Sequence, residues 1–233
     1  MTWIDRISLF EPLDYGALAL LLVVWLGIGW RIEWTGGRRS VSLLMAEYRR
    51  EWMRQMTDRD NRIFDSQILS MLRQGTAFFA SACMIAIGGA FALIGNADVV
   101  AGVGNDLRLT DEPAIVWELK LAVVLVLLAN AFLKLVWANR LFGYCAVLMA
   151  SVPNDGTAPG AAHRADQAAE INISAARSFN RGLRAIYFAM TASAWLFGPI
   201  ALVIATLFTL AVLLRREFMS NSRAALIEGL APQ

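Results

Sequence analysis

Histidine is almost absent from this 233-residue chain: its one copy, His163, falls in a polar stretch. That scarcity excludes HExxH zinc sites and histidine-centred triads, which need an imidazole as ligand or base. Only two cysteines occur, Cys83 inside an apolar run and Cys145 beyond another, so neither a disulfide nor a thiolate metal framework is expected. Lysine is scarce as well, since 19 of the 21 basic residues are arginine. A G-x-S-x-G elbow, a P-loop and a glycine-rich turn after a strand are all missing. The chain is therefore expected not to be an enzyme, and no cofactor or metal is expected. The net charge of +2 says little about partners, and no nucleic-acid partner is expected.

Apolar residues, by contrast, are abundant at 58 %, above the roughly 45–50 % of an ordinary soluble domain. They come in blocks rather than at amphipathic spacing: 13–32, 75–95, 116–138 and 185–214. A bilayer core takes about 20 apolar residues in a helix. The expected fold is all-α, one polytopic helical bundle over 1–233, with four transmembrane helices and cytoplasmic helical extensions. The first block lacks a basic leader and a small-residue cleavage site, so it is read as a retained span. The last block is the longest and carries Gly198-Pro199 near its middle. One kinked, tilted helix is the preferred reading, with a re-entrant hairpin as the alternative.

Charge patterning orients these spans. Arg31–Gln74 carries nine arginines and Arg140–Arg184 five, whereas Asn96–Val116 sets only Arg108 against Asp98, Asp106, Asp111 and Glu112. Basic loops stay in the cytoplasm, so an inner (plasma) membrane protein with its Arg-rich loops inside is expected. Four spans then leave both termini outside. Arg215, Arg216 and Arg223 conflict with that placement.

Between the first two spans, Val41, Leu44, Met45, Tyr48, Trp52 and Met56 recur at helical steps, predicting an amphipathic helix over 41–57. Its arginine face suits anionic headgroups or docking on the bundle, docking being preferred because Glu47 and Glu51 share that face. Thr57-x-x-Asp60 resembles a capping box and would start a helix that runs through "RDNRIFDSQ" into the second span.

Three polar clusters stand at the cytoplasmic ends of the spans. The first is Arg59, Asp60, Asn61, Arg62, Asp65 and Gln67. The second is Lys134, Trp137, Asn139, Arg140 and Tyr144, and the third includes Asn180, Arg181 and Arg184. Asp58, Asp60 and Asp65 alone suggest a carboxylate metal site, but Arg59 and Arg62 are interleaved, so charge pairing is the better reading. Lys134 near the boundary is read first as snorkelling to water and second as facing a pore or interface. Asp65 is expected to pair with Arg140 or Arg181, with Gln67, Asn139 and Asn180 as hydrogen-bonding neighbours. An interhelical lock is preferred over a net-positive mouth that attracts anions or acidic lipid.

The sequence of motifs "RDNRIFDSQ" before "FFASA", then "KLVWANRLFGY", then "RSFNRGLRAIYFAMTASAW" resembles the membrane proteins catalogued as domain of unknown function 599, from about Tyr15 to Glu217. The resemblance implies a multi-span protein of bacterial or plant type. It also implies a recurring pattern of Arg59, Asn61, Arg62, Asp65, Lys134, Trp137, Arg140, Tyr144, Asn180, Gly182 and Arg184, with no activity attached. Two functions fit. The first is a channel or transport-related protein, homo-oligomeric because no internal repeat supplies a second half. The second is a non-conducting membrane scaffold or regulatory subunit that binds a protein partner, an anionic lipid or a small anion.

Overall fold

A computed structural model describes residues 9–106 and 113–230. Arg108, Asp111 and Glu112 of the acidic loop lie outside the described residues, as do Asp5, Arg6 and the side chain of Asp106. The described elements are helical, with no strand among them: α1 (Pro12–Glu33), α2 (Val41–Thr57), α3 (Ile63–Gly95), α4 (Ala97–Asp106), α5 (Ala114–Ser151), α6 (Ala161–Ser193), a 3-10 turn (Ala194–Phe197), α7 (Pro199–Phe218) and α8 (Asn221–Leu230). Four of these, α1, α3, α5 and the helix beginning at Pro199, are long and apolar enough to cross a membrane. Their outward residues fit a lipid environment, for Val23, Ile85, Val126 and Phe208 are largely exposed where water would penalise them.

Local chemistry fixes the helix ends. Pro12 occupies the first position of α1, where its missing N–H costs nothing. Asp14 Oδ2 reaches back to accept the Glu11 N–H (3.2 Å), one half of a capping box. Ser40 caps α2 by accepting from the Leu43 N–H, while its own hydroxyl donates to the Ile32 carbonyl (2.7 Å).

The chain divides into two compact units. Unit 1 comprises Met1–Arg31, Ala82–Ala131 and Leu183–Leu214; unit 2 comprises Ile32–Ser81, Phe132–Gly182 and Arg215–Gln233. Leu21, Val116, Leu127, Phe188 and Leu202 are among the buried side chains of unit 1. In unit 2 a core of Met53, Met56, Leu69, Phe142, Met149 and Ala168 joins α2, α3, α5 and α6.

The last apolar block is not one kinked helix. Helix α6 ends at Ser193, the 3-10 turn follows, and Gly198 (φ 101°, ψ 168°) leads into α7 at Pro199. Thr191 and Thr209 share a hydroxyl–hydroxyl bond of 2.7 Å. Eighteen residues of continuous helix would separate them by about 27 Å, so the chain reverses at Gly198 and forms a helical hairpin. The segment after Leu214 accordingly returns to unit 2.

The expected helix start at Thr57 also differs. Thr57 ends α2, its hydroxyl donating to the Arg54 carbonyl (2.7 Å), and α3 begins at Ile63, whose N–H is accepted by Asn61 Oδ1 (2.8 Å). Residues 58–62 form an irregular link, with Asn61 in an Asx turn just ahead of α3.

Candidate functional site

Asp65 lies fully buried in the first turn of α3, inside unit 2. Its Oδ1 accepts from Trp52 Nε1 (2.6 Å) and from the Arg59 guanidinium, while Oδ2 is buried without a donor among the described residues. Neither Arg140 nor Arg181 is its partner, contrary to the sequence-based expectation. Arg59 is six residues away across the 58–62 link and reaches the carboxylate first, and the α2 indole fills the remaining space.

Arg62 does not pair with Asp58 or Asp65 either. Its Nη1 and Nη2 donate to the carbonyls of Val152 (2.7 Å) and Pro153 (2.6 Å), just past the end of α5. Arg164 Nη1 adds a bond to the Ser151 carbonyl (2.6 Å). A helix C-terminus leaves carbonyls without intrahelical donors and carries partial negative charge, so two guanidinium groups suit it.

The arginine face of α2 is docked on α6, in antiparallel register. Arg49 donates to Asn172 Oδ1, Arg50 Nε to Glu170 (2.8 Å) and Arg54 Nε to Asp166 (3.4 Å). The Glu170 hydrogen bond holds Arg50 even more firmly protonated than usual, and burial lowers Arg49. Asn172 closes the network by donating to the buried Cys145 sulfur (3.4 Å).

The third cluster separates. Arg181 forms a two-point ion pair with Glu33 at the end of α1, which raises its affinity for the proton. Asn180 approaches Ser42 (3.4 Å), whose hydroxyl and N–H both donate to Glu217 of α7 (3.0 and 3.1 Å). Arg184 is buried. In the second cluster, Arg140 donates to Tyr144 Oη and lies over the Trp137 and Tyr144 rings (6.0 and 5.6 Å), a cation–π arrangement. Trp137 and Tyr144 are exposed, and Lys134 enters a contact through its backbone carbonyl, which accepts from Ser178 (2.8 Å). Asn139 Oδ1 is buried and lacks a donor, and Asp60 and Gln67 stand exposed.

Unit 1 holds a group that sequence reasoning missed. Asp14 is buried and accepts from Trp195 Nε1 (2.6 Å), and Lys120 is fully buried with Nζ 5.8 and 5.9 Å from the Trp117 and Trp195 rings. The available signal was a lysine inside an otherwise apolar block. Among the described residues no group of three or more His, Cys, Asp or Glu is placed to hold a metal ion.

The family described as Protein of unknown function, DUF599, matches residues 16–222. No curated protein and no solved structure matches the chain.

Proposed function

We propose a function from geometry, because this chain belongs to the DUF599 family of proteins of unknown function, a description that carries no activity. The reading is a non-conducting, non-enzymatic membrane scaffold whose unit 2 stands on the cytoplasmic side and binds an anionic lipid or an acidic partner. The observation that carries it is where the charges go. Asp65, Arg59, Arg62, Arg181, Arg50 and Arg140 are all engaged inside unit 2. A conducting path needs polar groups free to face water, and each of these is taken up by a side chain or a backbone carbonyl of the same unit.

The hairpin supports a sidedness for this reading. With α1, α3 and α5 as full passes and the hairpin of α6 and α7 entering and leaving on one side, the N-terminus is outside and the C-terminus inside. Arg215, Arg216 and Arg223 then join the other arginine-rich segments, and the conflict with the positive-inside rule disappears.

Reconstitution in liposomes tests the scaffold against a homo-oligomeric channel. Halide, proton and alkali-metal flux should stay at the level of empty vesicles. Flux above that level, altered by Lys134→Ala or Arg140→Ala, overturns the scaffold and makes the exposed Lys134–Tyr144 face a pore lining between copies.

A further inference from the structure

Unit 2 contains a cavity of about 590 Å³ between α3 and α5. One wall is a single face of α3, with Ser66, Ser70, Arg73 and Ala77 at four- and three-residue steps; the facing wall is α5, from Asn139 to Ala150. Small side chains on both faces leave the space open.

Its chemistry is one-sided. Two guanidinium groups, Arg62 and Arg73, line it and no carboxylate does. Arg62 is held in place by the two carbonyls it caps. Arg73 is exposed and has no hydrogen bond or ion pair among the described residues. The nearest carboxylate in sequence, Asp65, is engaged by Trp52 and Arg59. Asn139 contributes the opposite demand, a buried carboxamide oxygen that lacks a donor. A ligand that satisfies both offers anionic oxygens to Arg73 and a hydroxyl to Asn139.

Position narrows the class further. Arg73 precedes the apolar run Gly75–Gly95 by two residues, and Asn139 follows the run ending at Trp137. Both therefore stand at the polar–apolar boundary, the level of lipid phosphates. Beside the cavity, α3 also exposes Met71 and Phe78, an apolar surface for acyl chains.

We propose that this cavity binds the headgroup of an anionic phospholipid bearing free hydroxyls, with the phosphate on Arg73 and a hydroxyl donating to Asn139. The inference deepens the scaffold reading, on which it rests, by assigning the lipid and its site. The test uses the full chain, purified in detergent and exchanged into vesicles of phosphatidylglycerol, phosphatidic acid or phosphatidylcholine, with retained lipid counted by mass spectrometry. Phosphatidylglycerol should be retained in preference to phosphatidylcholine and, through its headgroup hydroxyls, to phosphatidic acid. Loss of one charge-assisted contact in Arg73→Gln should lower that retention about tenfold, and Arg73→Lys should restore part of it. Arg215→Gln, the same charge change at the end of α7, should leave retention unaltered, and Asn139→Leu should erase the preference over phosphatidic acid. Equal retention of phosphatidylcholine, or an Arg73→Gln variant that folds and binds as the parent does, overturns the proposal. Competition by millimolar inorganic phosphate also overturns it, because the ligand is then a free anion. Ion flux in the same vesicles would overturn the scaffold while leaving a headgroup result intact, so the two failures are distinct.

Discussion

At the scale of single residues, Asp65, Arg59, Arg62 and Arg181 tie elements of unit 2 together, and their energies should follow from their burial. Asp65→Ala leaves the Trp52 N–H and the Arg59 guanidinium without their acceptor. A loss of about 2–3 kcal/mol is expected, most of it the penalty of an unsatisfied buried donor. Asp65→Asn keeps one acceptor and should cost less, and thermal denaturation followed by circular dichroism distinguishes the two. The Arg181–Glu33 pair has good two-point geometry but an exposed arginine, so a double-mutant cycle should return only about 0.5–1 kcal/mol. Asp155 accepts from the Thr157 N–H (2.9 Å) and hydroxyl (2.6 Å), the hydroxyl first in importance, and these bonds depress its pKa. A carboxylate depressed in the folded state contributes stability above its unfolded pKa and loses it as pH falls through the folded value. The Thr157 amide resonance should therefore stay native through the ordinary carboxylate range and shift only below it.

At the scale of elements, two glycines decide how segments meet. Gly198 adopts φ 101° and ψ 168°, a region that side chains other than glycine occupy at a cost of about 1–3 kcal/mol. Pro199 behind it supplies the first residue of α7, so Gly198-Pro199 works as a hairpin turn rather than a kink. Gly198→Ala should lower stability by that amount, read by thermal denaturation in detergent, and Thr191→Val should lose the bond to Thr209 without strain at the turn. Gly156 is constrained by a neighbour instead of by φ. A Cβ there would stand 2.8 Å from the Thr57 carbonyl oxygen, so Gly156→Ala must push the loop after α5 away from the end of α2.

At the scale of the whole molecule, the proposed sidedness is one that labelling can test. Cysteine introduced as Ser220→Cys or Gly36→Cys should react with a membrane-impermeant maleimide only after permeabilisation, and Asn96→Cys should react in intact cells. Native Cys83 and Cys145 are buried and should give little background. Labelling of Ser220→Cys from outside would return the last block to a single pass.

The helical class, the membrane environment and the amphipathic α2 were legible in the sequence, because apolar run length and helical periodicity are local properties that survive any arrangement of the helices. The three polar clusters were legible as clusters for the same reason: composition shows where charge is concentrated. Which charge meets which was not. Arg59 takes Asp65, Arg62 takes backbone carbonyls and Arg181 takes Glu33, and each choice depends on side-chain reach once helices are packed. Backbone acceptors in particular have no sequence signature. The reversal at Gly198 was equally hidden, since Gly-Pro in an apolar run is compatible with a kink or a turn. Only the contact between Thr191 and Thr209 distinguishes them. The cavity is the furthest from the sequence, for small residues on two facing helices normally permit close packing. Tertiary structure alone decided that here they leave a space with arginine at its rim.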